Sequence, residues 1–237
     1  MLPEPVPAMV RSPRAVSPLL AVLTLGLCPS SSAGQIASLP PADEAARDSS
    51  LLRFRADLLG ALQQRDTAFI VSIVAPNVAN GFGGDVGLKD FRYFWFGGGA
   101  RNRKIEQLVE ALQLGGALVD DSTYAVPYYA YGRRFPSGLD AHGHALVLGE
   151  GVRVRQSPGA QRPVVAILAY GVVSLPKGWT GHPDQDRSSH VVWLQVGLGD
   201  GRVGYVAERY LRSPLGLRVT FRKRSGHWVL TSWAEGD

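Results

Sequence analysis

Cysteine is almost missing from this sequence. Cys28 is the only one in 237 residues, so no disulfide can close within the chain and no cluster of thiolates can hold a metal. Charge is sparse, at 19% against 45% hydrophobic residues, which excludes a disordered polyelectrolyte. Long apolar runs are lacking too. The best candidate, Pro18 to Leu27, has about ten residues where a membrane-spanning helix needs ~20. Catalytic signatures are equally scarce. There is no Gly-x-Ser-x-Gly elbow. Ser174-Leu175-Pro176-Lys177 fits Ser-x-x-Lys, but Pro176 breaks the helical turn that would bring serine and lysine together, and no Ser-Asp-Asn or Lys-Thr-Gly accompanies it. The run from Gly81 to Gly87 lacks the Gly-Lys-Ser/Thr ending of a phosphate cradle and follows no expected strand.

What is abundant is turn-forming residues: 28 glycines and 16 prolines, above the ordinary share. Residues 1–33 have the pattern of a secretory signal peptide. Arg11 and Arg14 precede the apolar stretch, and Ser31-Ser32-Ala33 offers a small-residue cleavage site. Cys28 has Leu25 three residues before it, as in a lipobox, but Leu27 is large where a small residue is wanted. The expectation is an exported protein, periplasmic or extracellular, without cysteine after cleavage. Charge divides unevenly: residues 34–143 carry eleven basic and twelve acidic side chains, residues 144–237 twelve and seven. A basic surplus in the second part favours an anionic partner.

Residues 34–49 are small, polar and Pro-containing, and are expected to form a flexible tether. From 50 to 143 the helical period dominates. Leu51, Phe54, Leu58 and Leu62 share a stripe; Asp66 is placed to cap a second helix ended by Pro76; Leu88–Trp95 and Asn102–Leu114 form two more, with Gly115-Gly116 as the stop. Phe82-Gly83-Gly84-Asp85 leads into the third helix. Short strands are expected at 117–119 and 123–126, followed by the aromatic loop Tyr128-Tyr129-Ala130-Tyr131. From His144 the period alternates, with strands near 145–148, 152–155, 164–168, 172–175, 191–196 and 202–206 separated by Gly, Pro and Asp turns. Residues 214–237 alternate around Ser225-Gly226 as a closing hairpin able to pack on either part. The fold class expected is α+β: a helix-rich N-terminal domain (50–143), a small β-barrel (144–213) and a C-terminal β-hairpin (214–237).

Val152-Arg153-Val154-Arg155, Ser157-Pro158, Ala169-Tyr170-Gly171, Trp193-Leu194-Gln195-Val196, Asp200-Gly201, Gly204-Tyr205-Val206 and Tyr210-Leu211 arrive in that order. Over residues 150–212 the chain therefore resembles bacterial SH3-type (SH3b) domains, departing from them in an insertion around 179–189. The flanks resemble, more loosely, uncharacterised exported proteins with a Phe-Gly-Gly-Asp motif before an SH3b domain. The early helices and closing hairpin also resemble nuclear transport factor 2-like folds. The SH3b resemblance implies an SH3-like barrel and a recognition role in the cell envelope.

Tyr170, Trp193, Tyr205 and Tyr210 either fill the limited core of a small barrel or line a shallow groove that takes an extended peptide; Trp179, in the insertion, is the ring expected to be exposed. These five are the candidate ligand-binding residues. No catalytic residue is assigned, because no nucleophile, base and oxyanion donor come together. His142-Gly143-His144, Asp184 with Asp186, and Asp120-Asp121 do not complete a metal or glycosidase set, and Arg222-Lys223-Arg224 is a charged hairpin tip. No metal, cofactor or nucleic acid is expected, and no transmembrane helix in the mature chain. The expected partner is a cell-wall peptide or glycopeptide, or an envelope protein. The alternative is an enzyme or small-ligand pocket in residues 50–143 using Asp85, the aromatic loop and Arg133 or Arg134.

Overall fold

The computed structural model describes residues 37–81, 83–97, 103–130, 132, 134–185 and 190–236. The leader with Cys28, and Phe82, Tyr131, Arg133 and Asp186, lie outside the described residues.

Capping sets the first helices. The Asp48 carboxylate accepts from the N–H groups of Ser50 and Leu51 at 2.7 and 3.1 Å and starts α1 (Ser49–Gln63). Asp66 does the same for Phe69 at 3.0 Å at the head of α2 (Thr67–Ser72). β1 (Val74–Asn80), α3 (Leu88–Phe96) and α4 (Lys104–Gln113) follow. Gly115 ends the last of these at φ 84°, where a Cβ would lie 2.7 Å from the Ala42 carbonyl oxygen, so only glycine fits. β2 (Ala117–Asp120) and β3 (Thr123–Val126) come next.

The alternating segment gives β4 (His144–Val147), β5 (Val152–Arg155), β6 (Val164–Leu168), β7 (Val172–Ser174), β8 (His182–Pro183), β9 (Val192–Gly197), β10 (Val203–Ala207) and β11 (Leu211–Arg212). The closing hairpin is β12 (Arg218–Arg224) and β13 (His227–Ala234).

The strands build two sheets. One has the order β1-β13-β12-β3-β2; the other follows β11-β4-β7-β9-β10-β5-β6, with β8 on β9. This overturns the expected fold class. Among the described residues thirteen strands stand against four α-helices, and residues 50–143 are not a helix-rich domain in their own right. Their helices pack on a sheet whose two central strands come from the end of the sequence. The core beneath them joins Leu51, Leu58, Ile70, Phe91, Trp95 and Leu108 to Phe221, Trp228, Leu230 and Trp233. The second sheet is not a closed barrel either. Its path ends at β6, whose outer edge has no partner strand among the described residues and whose Val164 and Ile167 are exposed, so the sheet does not close onto β11.

The second sheet has its own core of Val147, Val154, Val173, Leu194, Val196 and Val206 among others. A third cluster, including Leu39, Tyr128, Tyr129, Leu146, Val172 and Leu215, lies between the two sheets. Leu39 brings the expected tether into the fold: its N–H donates to the Tyr170 carbonyl at 2.7 Å, and Ser38 bridges Gly171.

Side chains also tie the start of α1 to the hairpin. Lys223 Nζ donates to Asp48 Oδ2 at 2.8 Å, Ser50 Oγ to Asp48 Oδ1 at 2.6 Å, and Trp228 Nε1 to Ser50 Oγ at 3.0 Å. The Lys223 ammonium, the Ser50 hydroxyl and two backbone N–H groups hold the Asp48 carboxyl well below the usual carboxylate range.

Candidate functional site

The second sheet has an inner and an outer face, set by the two-residue period of its strands. Val152 and Val154 of β5, Leu194 and Val196 of β9, and Val206 of β10 point into the core. Arg153 and Arg155, Trp193 and Gln195, and Tyr205 and Ala207 occupy the alternate positions and share the outer face. Register then places small beside large. Ala207 pairs with Trp193, and Tyr205 pairs with both Gln195 and Arg155. The short methyl side chain of Ala207 leaves a depression beside Trp193, which Arg153 also lines.

This cleft has a volume of about 590 Å³. Trp193, only 5% exposed, is its floor, and the ring N–H donates to Asp184 Oδ2 at 3.4 Å. The walls carry Arg153, Arg155, Arg209, Tyr210, Gln161 and Glu150. Arg155 Nη1 donates to the Arg162 carbonyl at 2.6 Å, which anchors its guanidinium group. Arg209 lies 4.9 Å from the Tyr210 ring centre, a cation–π pair. None of the three arginines pairs with a carboxylate among the described residues. Arg155 and Arg209 are thus held by partners, Arg153 is exposed, and all three donor forks border a space that can admit a carboxylate.

Of the five expected ligand-binding residues, the cleft brings together two, Trp193 and Tyr210. Tyr205 lies on the same face but turns to His182, edge-on at 5.6 Å, and takes a 3.5 Å hydrogen bond from Gln195. Tyr170 sits in the β6–β7 turn at φ 51°. Trp179 is exposed beside a separate depression with His142 and Leu215. The core of the second sheet contains none of these rings. Sequence reasoning missed Arg153, Arg155, Arg209 and Ala207 as site residues. The signal for Ala207 was available: a small residue two positions after Tyr205 marks a gap on whichever face the tyrosine occupies.

The other candidates have structural duties. Tyr128 and Tyr129 of the aromatic loop are buried. Burial, with the neighbouring Tyr170, pushes the Tyr128 hydroxyl up to about 12, and it donates to the Leu39 carbonyl at 3.0 Å. Burial also raises Tyr129, and burial together with a hydrogen bond to Asp43 raises Tyr124. Asp85 is exposed. Asp120 accepts from the backbone N–H and hydroxyl of Ser122, both at 2.8 Å, which lowers its carboxyl. Asp140 accepts from the N–H groups of His142 and Gly143 at 3.0 Å each, ordering that connection. Among the described residues no group of three or more His, Cys, Asp or Glu side chains is placed to hold a metal, and no helix is long and apolar enough to cross a membrane. No protein-family model, no curated protein and no solved structure matches this chain.

Proposed function

We propose that this chain is an exported, non-catalytic binding module of the bacterial cell envelope, whose cleft takes an extended, carboxylate-bearing peptide from peptidoglycan or from a protein partner. The observation that carries this reading is the cleft itself: about 590 Å³ of open space over a tryptophan floor, walled by three arginines without carboxylate partners among the described residues. A flat ring gives contact area at little entropic cost, and guanidinium forks give orientation. The resemblance of residues 150–212 to SH3b domains supports recognition over catalysis, and the signal-like leader supports the compartment.

Purified sacculi provide the test. The full chain is expected to be retained and to be released as salt rises, since the arginines are solvent-accessible. Ala207→Leu fills the depression beside Trp193, and Arg153→Glu with Arg209→Glu reverses two walls; each is expected to reduce retention at least about tenfold, the loss of one good charge-assisted contact. Retention that neither variant changes would place binding elsewhere on the molecule, and no retention on sacculi or on extracted envelope protein would overturn the reading.

A further inference from the structure

Helix α3 has rings on both sides. Five of the six residues from Phe91 to Phe96 are aromatic. The inner side is explained by packing: Phe91 stacks on Trp95 at 4.9 Å, and Trp95 meets Trp233 edge-on at 4.6 Å. On the outer side the ring contact is Tyr93 edge-on to Phe94 at 5.5 Å, which leaves both rings exposed. Tyr93 is 74% exposed and Phe96 38%, at positions where a helix on a sheet ordinarily shows polar residues. Aromatic side chains are also weaker helix formers than the residues usual there, so neither folding nor propensity accounts for them.

Two cations accompany these rings. Lys89, Tyr93 and Phe96 follow at four and three residues, on one stripe, and Arg92 lies one turn before Phe96. Lys89 and Arg92 are exposed and make no ion pair among the described residues. Phe96 and Arg92 also border a shallow depression of about 560 Å³ shared with Ala68 and Val71 of α2, which extends the apolar strip beyond one helix.

We infer that this face of α3 docks on a lipid bilayer surface that carries anionic headgroups. A soluble polyanion would engage Lys89 and Arg92 and leave the rings in water; an apolar protein groove would engage the rings and bury two unpaired cations. The bilayer interface takes both, with rings at the headgroup boundary and cations against phosphate. With two rings and two cations on a nine-residue helix, the contact is reversible. It is a different surface from the cleft and does not depend on it.

The experiment is co-sedimentation of the full chain with vesicles of phosphatidylcholine, alone or mixed with phosphatidylglycerol, beside Tyr93→Ser/Phe96→Ser and Lys89→Glu/Arg92→Glu. Any contribution of residues 1–33 is common to all three proteins. The parent is expected to partition onto anionic vesicles about tenfold more than either variant and to lose that advantage near 0.5 M salt, where the screening length is only a few ångströms (about 4 Å). All of these side chains are exposed, so the unfolding midpoints are expected to stay within about 2 °C, as for surface substitutions generally. Retention of the ring variant on sacculi is expected to be unchanged, which separates this face from the cleft. Equal partitioning of parent and variants overturns the inference. So does a ring substitution that leaves vesicle binding intact but dissolves a dimer in analytical ultracentrifugation, which would assign the face to a second copy.

Discussion

The two sheets solve burial in opposite ways. The first is covered by helices, and its core holds Phe91, Trp95, Tyr124, Phe221, Trp228 and Trp233. The second has no α-helix in its core among the described residues, and that core is built from Ala, Val and Leu alone. A helical layer stands far enough from a sheet to leave room for rings, whereas a small sheet curving over itself has space only for short branched side chains. Rings in the second sheet are therefore displaced to its outer face or its turns. That is where Trp193 and Tyr210 come to line the cleft, and the difference teaches that a small β unit whose core is already filled leaves its rings on faces where a cleft can form.

The largest effect that sharpens this contrast is in the first core. Phe221→Ala is expected to cost about 3–5 kcal/mol in urea unfolding, while Val154→Ala in the second core, losing two methylene equivalents, costs about 2 kcal/mol. Equal losses would mean that the cores are not differently packed. Next is the tie between α1 and the hairpin. Asp48→Ala removes a cap and the acceptor of Lys223 and is expected to cost about 1–2 kcal/mol at pH 7. The Asp48 carboxyl is depressed in the folded chain, so its stabilisation is present above the unfolded value of about 3.9 and is lost as the pH falls below it. The gap between parent and variant should narrow between pH 4 and about 2, measured by unfolding at several pH values.

The smallest effect concerns the cluster between the sheets. Tyr128 is raised to about 12, above the ordinary value of about 10. Its contribution is complete below pH 10 and declines as the pH rises toward 12, because the unfolded chain ionises first. Absorbance near 295 nm, a wavelength that reports phenolate, should show this tyrosine ionising together with loss of fold, and Tyr128→Phe should blunt the alkaline loss. A phenolate signal from Tyr128 without loss of fold would show that the cluster opens locally.

Much of the local structure was legible. Asp66 announces a helix start, Gly115 a helix stop, and the alternation from 152 to 206 marks strands that the structure contains; the Asp48 cap of α1 was not singled out. What could not be read is pairing. β1 was hidden because Pro76 and Asn77 argue against a strand; it is tolerated as an edge strand with Pro76 exposed. The helices were legible, and so was a closing hairpin able to pack on either part; which part it joins was not, because the contacts of residues 218–234 with the helices span more than half the chain. The same limit hid the cleft. Arg153, Trp193 and Ala207 are visible one by one, but only the register that sets Ala207 beside Trp193 makes a cavity of them. Closure of the second sheet into a barrel was inferred from strand number and spacing, which do not report whether an edge such as β6 finds a partner.

The strand order of the first sheet has a kinetic consequence. β13, last in the sequence, lies inside the sheet between β1 and β12, and its Leu230 pairs with Val74. A growing polypeptide thus holds its helical layer without a floor until the final strands have emerged from the ribosome, and such distant pairings form slowly. For the exported chain proposed above, this order of events would delay premature compaction before translocation, with the β12–β13 hairpin serving as the latch of the first sheet.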